Sequence, residues 1–133
     1  MSSANLLSRY GSVQATTSSP GQILVMLYDG LFRFLNEAKV AMQEKRRGRT
    51  GELISRAHAI LDTLSATLIH SHAPELCSNL EAVYMFCMQQ LITANVYLKP
   101  ELINEVIRVL TPLREAWTEV VTRSQSTALA GAR

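Results

Sequence analysis

Three histidines, two cysteines and one short basic run are the residues in this chain whose types could do chemistry. His58 stands in Arg56-Ala57-His58-Ala59-Ile60-Leu61-Asp62, and an exposed imidazole in mid-helix is what phosphoryl transfer needs. Phosphotransfer domains put a Lys and a Gly one turn after that histidine, to balance the phosphoryl charge and make room for it. Here those places hold Leu61 and Asp62, and the carboxylate would repel a phosphoryl group. His70, His72 and Cys77 are metal-ligand types, but no fourth ligand has a usable spacing and no Glu-x-x-His pair exists for a di-iron site. Lys45, Arg46, Arg47 and Arg49 could touch phosphates, yet so short a run at a helix end reads as a solvated terminus. Asp29 and Glu37 are too far apart on one helix to work as an acid–base pair. The chain has no glycine-rich phosphate loop and no nucleophile constellation. The expectation is a non-enzyme with no cofactor and no metal.

What remains is apolar surface, concentrated first in Ser19-Pro20-Gly21-Gln22-Ile23-Leu24-Val25-Met26-Leu27-Tyr28-Asp29-Gly30. Ser19 can cap a helix, Pro20 suits its first position, and Gln22 can bond back to the cap. Leu24, Leu27, Tyr28, Leu31, Leu35, Ala38 and Met42 then follow one helical face. Ile23, Val25, Met26, Phe32 and Phe34 lie off that stripe. Such a helix is either buried on several sides or has one face in the core and another in a partner groove.

The elements that position these residues follow from length and periodicity. With 133 residues, 47% of them apolar, the chain can build one domain with a real core. A net charge of +2 gives no bulk reason to bind nucleic acid. No apolar run reaches the roughly 18–20 residues of a membrane span, and residues 1–17 carry no signal-peptide pattern. Cys77 and Cys87 fall in one predicted helix, separated by about 15 Å of rise, so they cannot bridge each other there. Free thiols of this kind suit a reducing cytoplasm.

Four helices are predicted, over about Pro20–Lys45, Glu52–His70, Pro74–Tyr97 and Pro100–Arg123. Gly48 and Gly51 read as breakers between the first two. The second helix buries Leu53, Ile54, Ala57, Ile60, Leu61, Leu64 and Leu68. The third has one face with Leu76, Leu80, Val83, Cys87, Leu91, Ala94 and Leu98, and a second with Tyr84, Met85, Met88 and Ile92. The fourth turns Ile103, Val106, Ile107, Leu110, Leu113, Trp117, Val120 and Val121 inward, with a bend expected at Pro112. Short connections imply an all-α, antiparallel up-down-up-down four-helix bundle over residues 19–123. It is preceded by a flexible, partly helical segment (1–18) carrying Leu7 and Tyr10, and followed by a frayed tail (124–133).

At Met26-Leu27-Tyr28-Asp29-Gly30 the chain resembles the FliS family of flagellar secretion chaperones. The resemblance runs from about Leu7 to Val121. Leu7 and Tyr10 match a hydrophobic-x-x-Tyr pair, and Ser19-Pro20 precedes the first helix as in the family. Leu80 and Tyr84 are similar to its Leu-x-x-x-Tyr, Leu91-Ile92-Thr93-Ala94-Asn95 to its Leu-x-x-Ala-Asn, and Leu113-Arg114-Glu115-Ala116-Trp117 to its closing Leu-Arg-x-Ala-Trp. The chain departs from the family at His70–Glu75, at Asn95–Pro100 and at Pro112.

The resemblance implies a cytoplasmic chaperone that binds the disordered C-terminal region of flagellin, prevents premature polymerisation and helps deliver it to the type III export gate. It implies no nucleic-acid partner and no membrane insertion. Leu7, Tyr10, Ile23, Met26, Leu27, Leu31, Tyr84, Met88, Leu91 and Asn95 are the expected client contacts, with Asp29 and Gly30 serving packing. A histidine phosphotransfer domain using His58, or a helical adaptor of another secretion system, stays open at this point, as do monomer and homodimer.

Overall fold

The computed structural model describes residues 19–131, so Leu7 and Tyr10 lie outside the described residues. Four helices follow one another: α1 (Pro20–Gln43), α2 (Arg47–Ala66), α3 (Pro74–Tyr97) and α4 (Pro100–Gly131). No strand occurs among the described residues. The helices close a ring in which α1 packs on α2 and α4, and α3 packs on the same two. Cross-contacts fix the directions. Glu37 of α1 faces Arg49 at the start of α2, while Gly30 lies against Ile60 further along it. Lys39 of α1 bonds Asn104 near the start of α4, while Asp29 bonds Arg114 further on. The result is the antiparallel bundle that the patterning implied.

The start of α1 forms as its sequence dictates. The Ser19 hydroxyl accepts from the Gln22 amide at 3.2 Å, and the Ser19 amide donates to the Gln22 side chain at 2.8 Å. These two bonds complete a capping box, with Pro20 at the first helical position. The end of α1 differs from expectation. Lys45 adopts φ +62°, its amide bonds the Met42 carbonyl, and the Arg46 amide reaches back to Ala41. That pair of bonds turns the chain without a glycine. α2 can therefore start at Arg47, and Gly48 and Gly51 become helical residues rather than breakers. At its other end α2 stops at Ala66, short of His70. Leu98 plays the turning role after α3, at φ 54°, with the Lys99 amide bonded to Ala94.

The core takes Tyr28, Leu31 and Leu35 from α1 and Leu53, Leu61 and Leu64 from α2. Tyr84, Cys87 and Leu91 come from α3, and Ile103, Val106 and Leu110 from α4. Each fully buried leucine contributes about 1.5–3 kcal/mol relative to exposure. Three residues expected inward, Leu76, Leu98 and Val120, are exposed instead. Leu76 lies in the first turn of α3, Leu98 sits after its last turn, and Val120 stands next to the residue that meets the first turn of α1. Periodicity reports a face but not how far the neighbouring helices reach. α4 passes through Pro112 without ending and continues to Gly131, beyond the expected stop at Arg123. Pro112 is exposed, so the Arg108 carbonyl it deprives of a donor can be met by water.

Candidate functional site

Tyr28, Asp29 and Gly30 each touch a different helix. Successive residues point about 100° apart around a helix. The Tyr28 hydroxyl therefore reaches Tyr84 of α3 at 2.6 Å, Asp29 reaches Arg114 of α4 at 2.7 Å, and Gly30 faces Ile60 of α2. This tripeptide ties α1 to the rest of the bundle. Arg114 is held twice, because its guanidinium also lies 4.7 Å from the centre of the Phe32 ring. Asp29, expected to serve packing, is exposed and instead pairs with the Arg114 side chain in mid-α4, a partner that sequence reasoning missed. Gly30 is less demanding than expected. An added Cβ would meet Ile60 at 3.6 Å, which is ordinary contact.

The tyrosine pair sits in the driest part of the core, at 0% and 2% exposure. Burial raises the pKa of both hydroxyls, and for Tyr28 the Tyr84 hydroxyl and a nearby Trp117 N–H pull the other way. The buried Trp117 indole nitrogen makes no hydrogen bond of proper geometry. Cys87 lies in the same core, and burial pushes its thiol up to about 12, so it stays protonated and unreactive at neutral pH.

The expected contact residues separate into two groups. Leu31, Tyr84 and Leu91 are fully buried and Leu27 nearly so, which puts them out of reach of a partner while the bundle is closed. Ile23, Met88 and Asn95 are half-buried, and Met26 is 40% exposed. These four border α2 on both sides. Met26 and Ile23 precede Gly30 by one and two turns, and so share its α2-facing side of α1. Asn95 lies about 4 Å from where a Cβ on Gly51 of α2 would be, and Met88 precedes it by two turns on the same side of α3.

Two further features of the surface stand out, the first of them the second apolar face that spacing assigned to α3. α3 has no charged residue between Glu81 and Lys99, yet Met85, Ile92 and Val96 on it are 52–60% exposed. A groove of about 710 Å³ between α1 and α4 is lined by Val25, Phe32, Ile107 and the Asp29–Arg114 pair, and none of the eight expected contacts among the described residues lines it.

The residues considered for other chemistry are placed apart. His58 is half-buried on α2 with Asp62 one turn beyond it. His70 bonds Glu81 at 3.0 Å, and Cys77 is buried with its thiol directed at the Ile69 carbonyl. Among the described residues no three His, Cys, Asp or Glu side chains are grouped to hold a metal, and no helix is long and apolar enough to cross a membrane. Arg49 pairs with Glu37 and Glu52, and Lys45, Arg46 and Arg47 line an open hollow with Met42, Thr50 and Leu98.

Residues 3–124 match the family model described as flagellar protein FliS. The chain is 36% identical over 111 residues to a flagellar secretion chaperone FliS of Campylobacter jejuni, covering 84% of this chain and 87% of that protein. It is 30% identical over 105 residues to that of Salmonella typhimurium, covering 78% of each. It is 27% identical over 121 residues to that of Bacillus subtilis, covering 91% and 90%.

Proposed function

Because the chain belongs to the FliS family of flagellar proteins, we propose that it is an export chaperone for flagellin. It binds the disordered C-terminal region of that protein in the cytoplasm, keeps it from polymerising early, and helps present it to the flagellar type III export apparatus. The observation that carries this reading is the accessible apolar surface on both flanks of α2: Ile23 and Met26 on α1, Met88 beside Asn95 on α3. Ile23 and Met88 pack against the core with part of their surface and leave the rest accessible, and Met26 is 40% exposed. A disordered client can use them, because an amphipathic segment that folds on binding buries anchors at helical spacing in such seams. The client would lie across α2 and reach both flanks. Asn95 offers it one fixed hydrogen-bonding position on an otherwise apolar margin.

Leu27, Leu31, Tyr84 and Leu91 act from behind in this reading, setting the positions of the residues the client touches. Leu7 and Tyr10 are assigned to the same surface, which they would occupy until the client displaces or re-docks them. No catalytic group enters the mechanism: holding and release follow from the balance of apolar burial against the cost of ordering the client.

Calorimetry with a flagellin C-terminal peptide tests the proposal, alongside a variant lacking residues 1–18. Binding of the peptide supports it. An unchanged affinity on deleting 1–18 would remove Leu7 and Tyr10 from the client surface. No binding at tens of micromolar would favour an adaptor of another secretion system.

A further inference from the structure

We propose that the end of the bundle formed by the α1–α2 and α3–α4 turns is a docking surface for an anionic lipid bilayer, which the protein touches end-on without spanning it. Antiparallel packing brings the two turns together. Lys45, Arg46 and Arg47 line one open hollow of about 460 Å³ with Leu98, the residue that follows α3. Lys45, Arg46, Arg47 and Lys99 are all exposed, and none of them forms an ion pair among the described residues. Against these four cations the turns and their flanks carry two carboxylates, Glu44 and Glu101. A solvated helix end accounts for the cations but not for what stands beside them. Tyr97 is 67% exposed and Leu98 40%, at the tip of the bundle rather than on a flank. Lys45 and Leu98 are also the two non-glycine residues with positive φ among the described residues, at 62° and 54°. Glycine takes that conformation without steric penalty and leucine does not. Leucine in this place keeps an apolar side chain on the rim of the basic hollow, where glycine would leave none.

Charge and apolar surface together select the occupant. The cations attract phosphate, and a tyrosine beside an aliphatic side chain suits the boundary between lipid headgroups and acyl chains. Nucleic acid would need the positive charge to continue along a flank, and it stops at the tip. On α1, Glu37 and Glu44 stand on either side of Lys39. On α2, Arg49 is taken up by Glu37 and Glu52. On α3 no charge precedes Lys99 back to Glu81, and on α4 Glu101 and Glu105 come before the first cation, Arg108. A flat bilayer is the anionic surface that a basic tip can meet. Docking by this end leaves the flanks of α2 open along their length.

Co-sedimentation of the full chain with mixed phosphatidylglycerol–phosphatidylcholine vesicles tests this, with pure phosphatidylcholine vesicles as reference. The mixed vesicles are expected to bind the protein at about 20 mM salt and to release most of it at about 150 mM, where exposed charges are screened beyond roughly 8 Å. The reference vesicles should bind little. Arg46→Gln with Arg47→Gln should weaken binding about 25-fold, roughly five-fold for each cation removed, with the melting temperature kept. Arg108→Gln with Arg123→Gln removes the same charge from exposed positions elsewhere on α4. It should change binding by less than about two-fold. Tyr97→Ser with Leu98→Asn leaves every charge in place, and asparagine tolerates the left-handed backbone. That variant should bind at least about five-fold more weakly, for want of apolar contact with the bilayer. A wild type that ignores the mixed vesicles at low salt overturns the proposal. So does an equal loss from the two arginine pairs, which would make the attraction a property of net charge. Vesicle binding indifferent to Tyr97→Ser with Leu98→Asn, and matched by binding to polyglutamate, would assign this end to an acidic protein segment instead.

Discussion

The hydroxyls of Tyr28 and Tyr84 meet 2.6 Å apart across the diagonal of the bundle, joining α1 and α3, which share no packing seam of their own. Each is the other's hydrogen-bond partner in a site with no room for solvent. Tyr28→Phe or Tyr84→Phe therefore strands one buried hydroxyl, at a cost of about 1–3 kcal/mol. The double replacement by Phe should cost less than the sum of the singles, because it removes both groups. Urea denaturation of the four proteins measures the coupling.

Alkaline pH should loosen the same region. Tyr28, Tyr84 and Cys87 all have pKa values raised by burial. The folded state thus holds protons that the unfolded chain releases, and stability falls as pH rises. It is complete below the ordinary thiol value of 9.0 and declines first through Cys87, whose folded value is about 12. The tyrosines add to the loss above their ordinary value of 10.0. Denaturation midpoints between pH 8 and pH 11 should drop, and Cys87→Ala should flatten the first part of the decline.

Gly48 and Gly51 are helical residues with space for a methyl group. Nothing lies within 4 Å of a Cβ on Gly48, and Gly51 would meet only Asn95 at 3.9 Å. Gly48→Ala and Gly51→Ala should each stabilise the protein by about 0.5–1 kcal/mol. If α2 began at Glu52 instead, neither would.

Arg114 holds Asp29 through an ion pair whose side chains are 40% and 53% exposed, and it also covers the Phe32 ring. Asp29→Asn should cost less than about 1 kcal/mol. Arg114→Ala, which loses the ring contact as well, should cost about 1–2 kcal/mol. Thermal melts of the two variants at low and high salt separate the contributions, because salt screens the exposed ion pair more strongly than the packing of Arg114 on the ring.

The fold was legible because its determinants are local. Ser19, Pro20 and Gln22 specify the start of α1, Pro74 and Pro100 open α3 and α4 where expected, and apolar spacing assigns most of the core. The α1–α2 turn was not legible, because Lys45 takes a left-handed conformation that sequence rules reserve for glycine. The surface was half legible. Spacing showed that α1 and α3 carry apolar residues on more than one side, but burial separates Met26 from Leu31 and Met88 from Leu91, and burial depends on where the neighbouring helices lie. Tyr84 shows the limit most clearly. It reads as a second-face residue of α3, yet the diagonal bond to Tyr28 draws it into the core.

Titration calorimetry of the full chain with a flagellin C-terminal peptide, for the wild type, Met26→Glu and Leu35→Ala, tests the central claim most directly. Met26 is exposed at the margin of α2 and Leu35 is fully buried. The expected result is wild-type binding at micromolar concentrations or tighter, which Met26→Glu weakens by at least about ten-fold with its melting temperature unchanged. Leu35→Ala should lose about 2–5 kcal/mol of stability and bind normally wherever it remains folded. Wild-type protein that binds no peptide at tens of micromolar, or a Met26→Glu variant that binds as the wild type does, would contradict a client held on the flanks of α2.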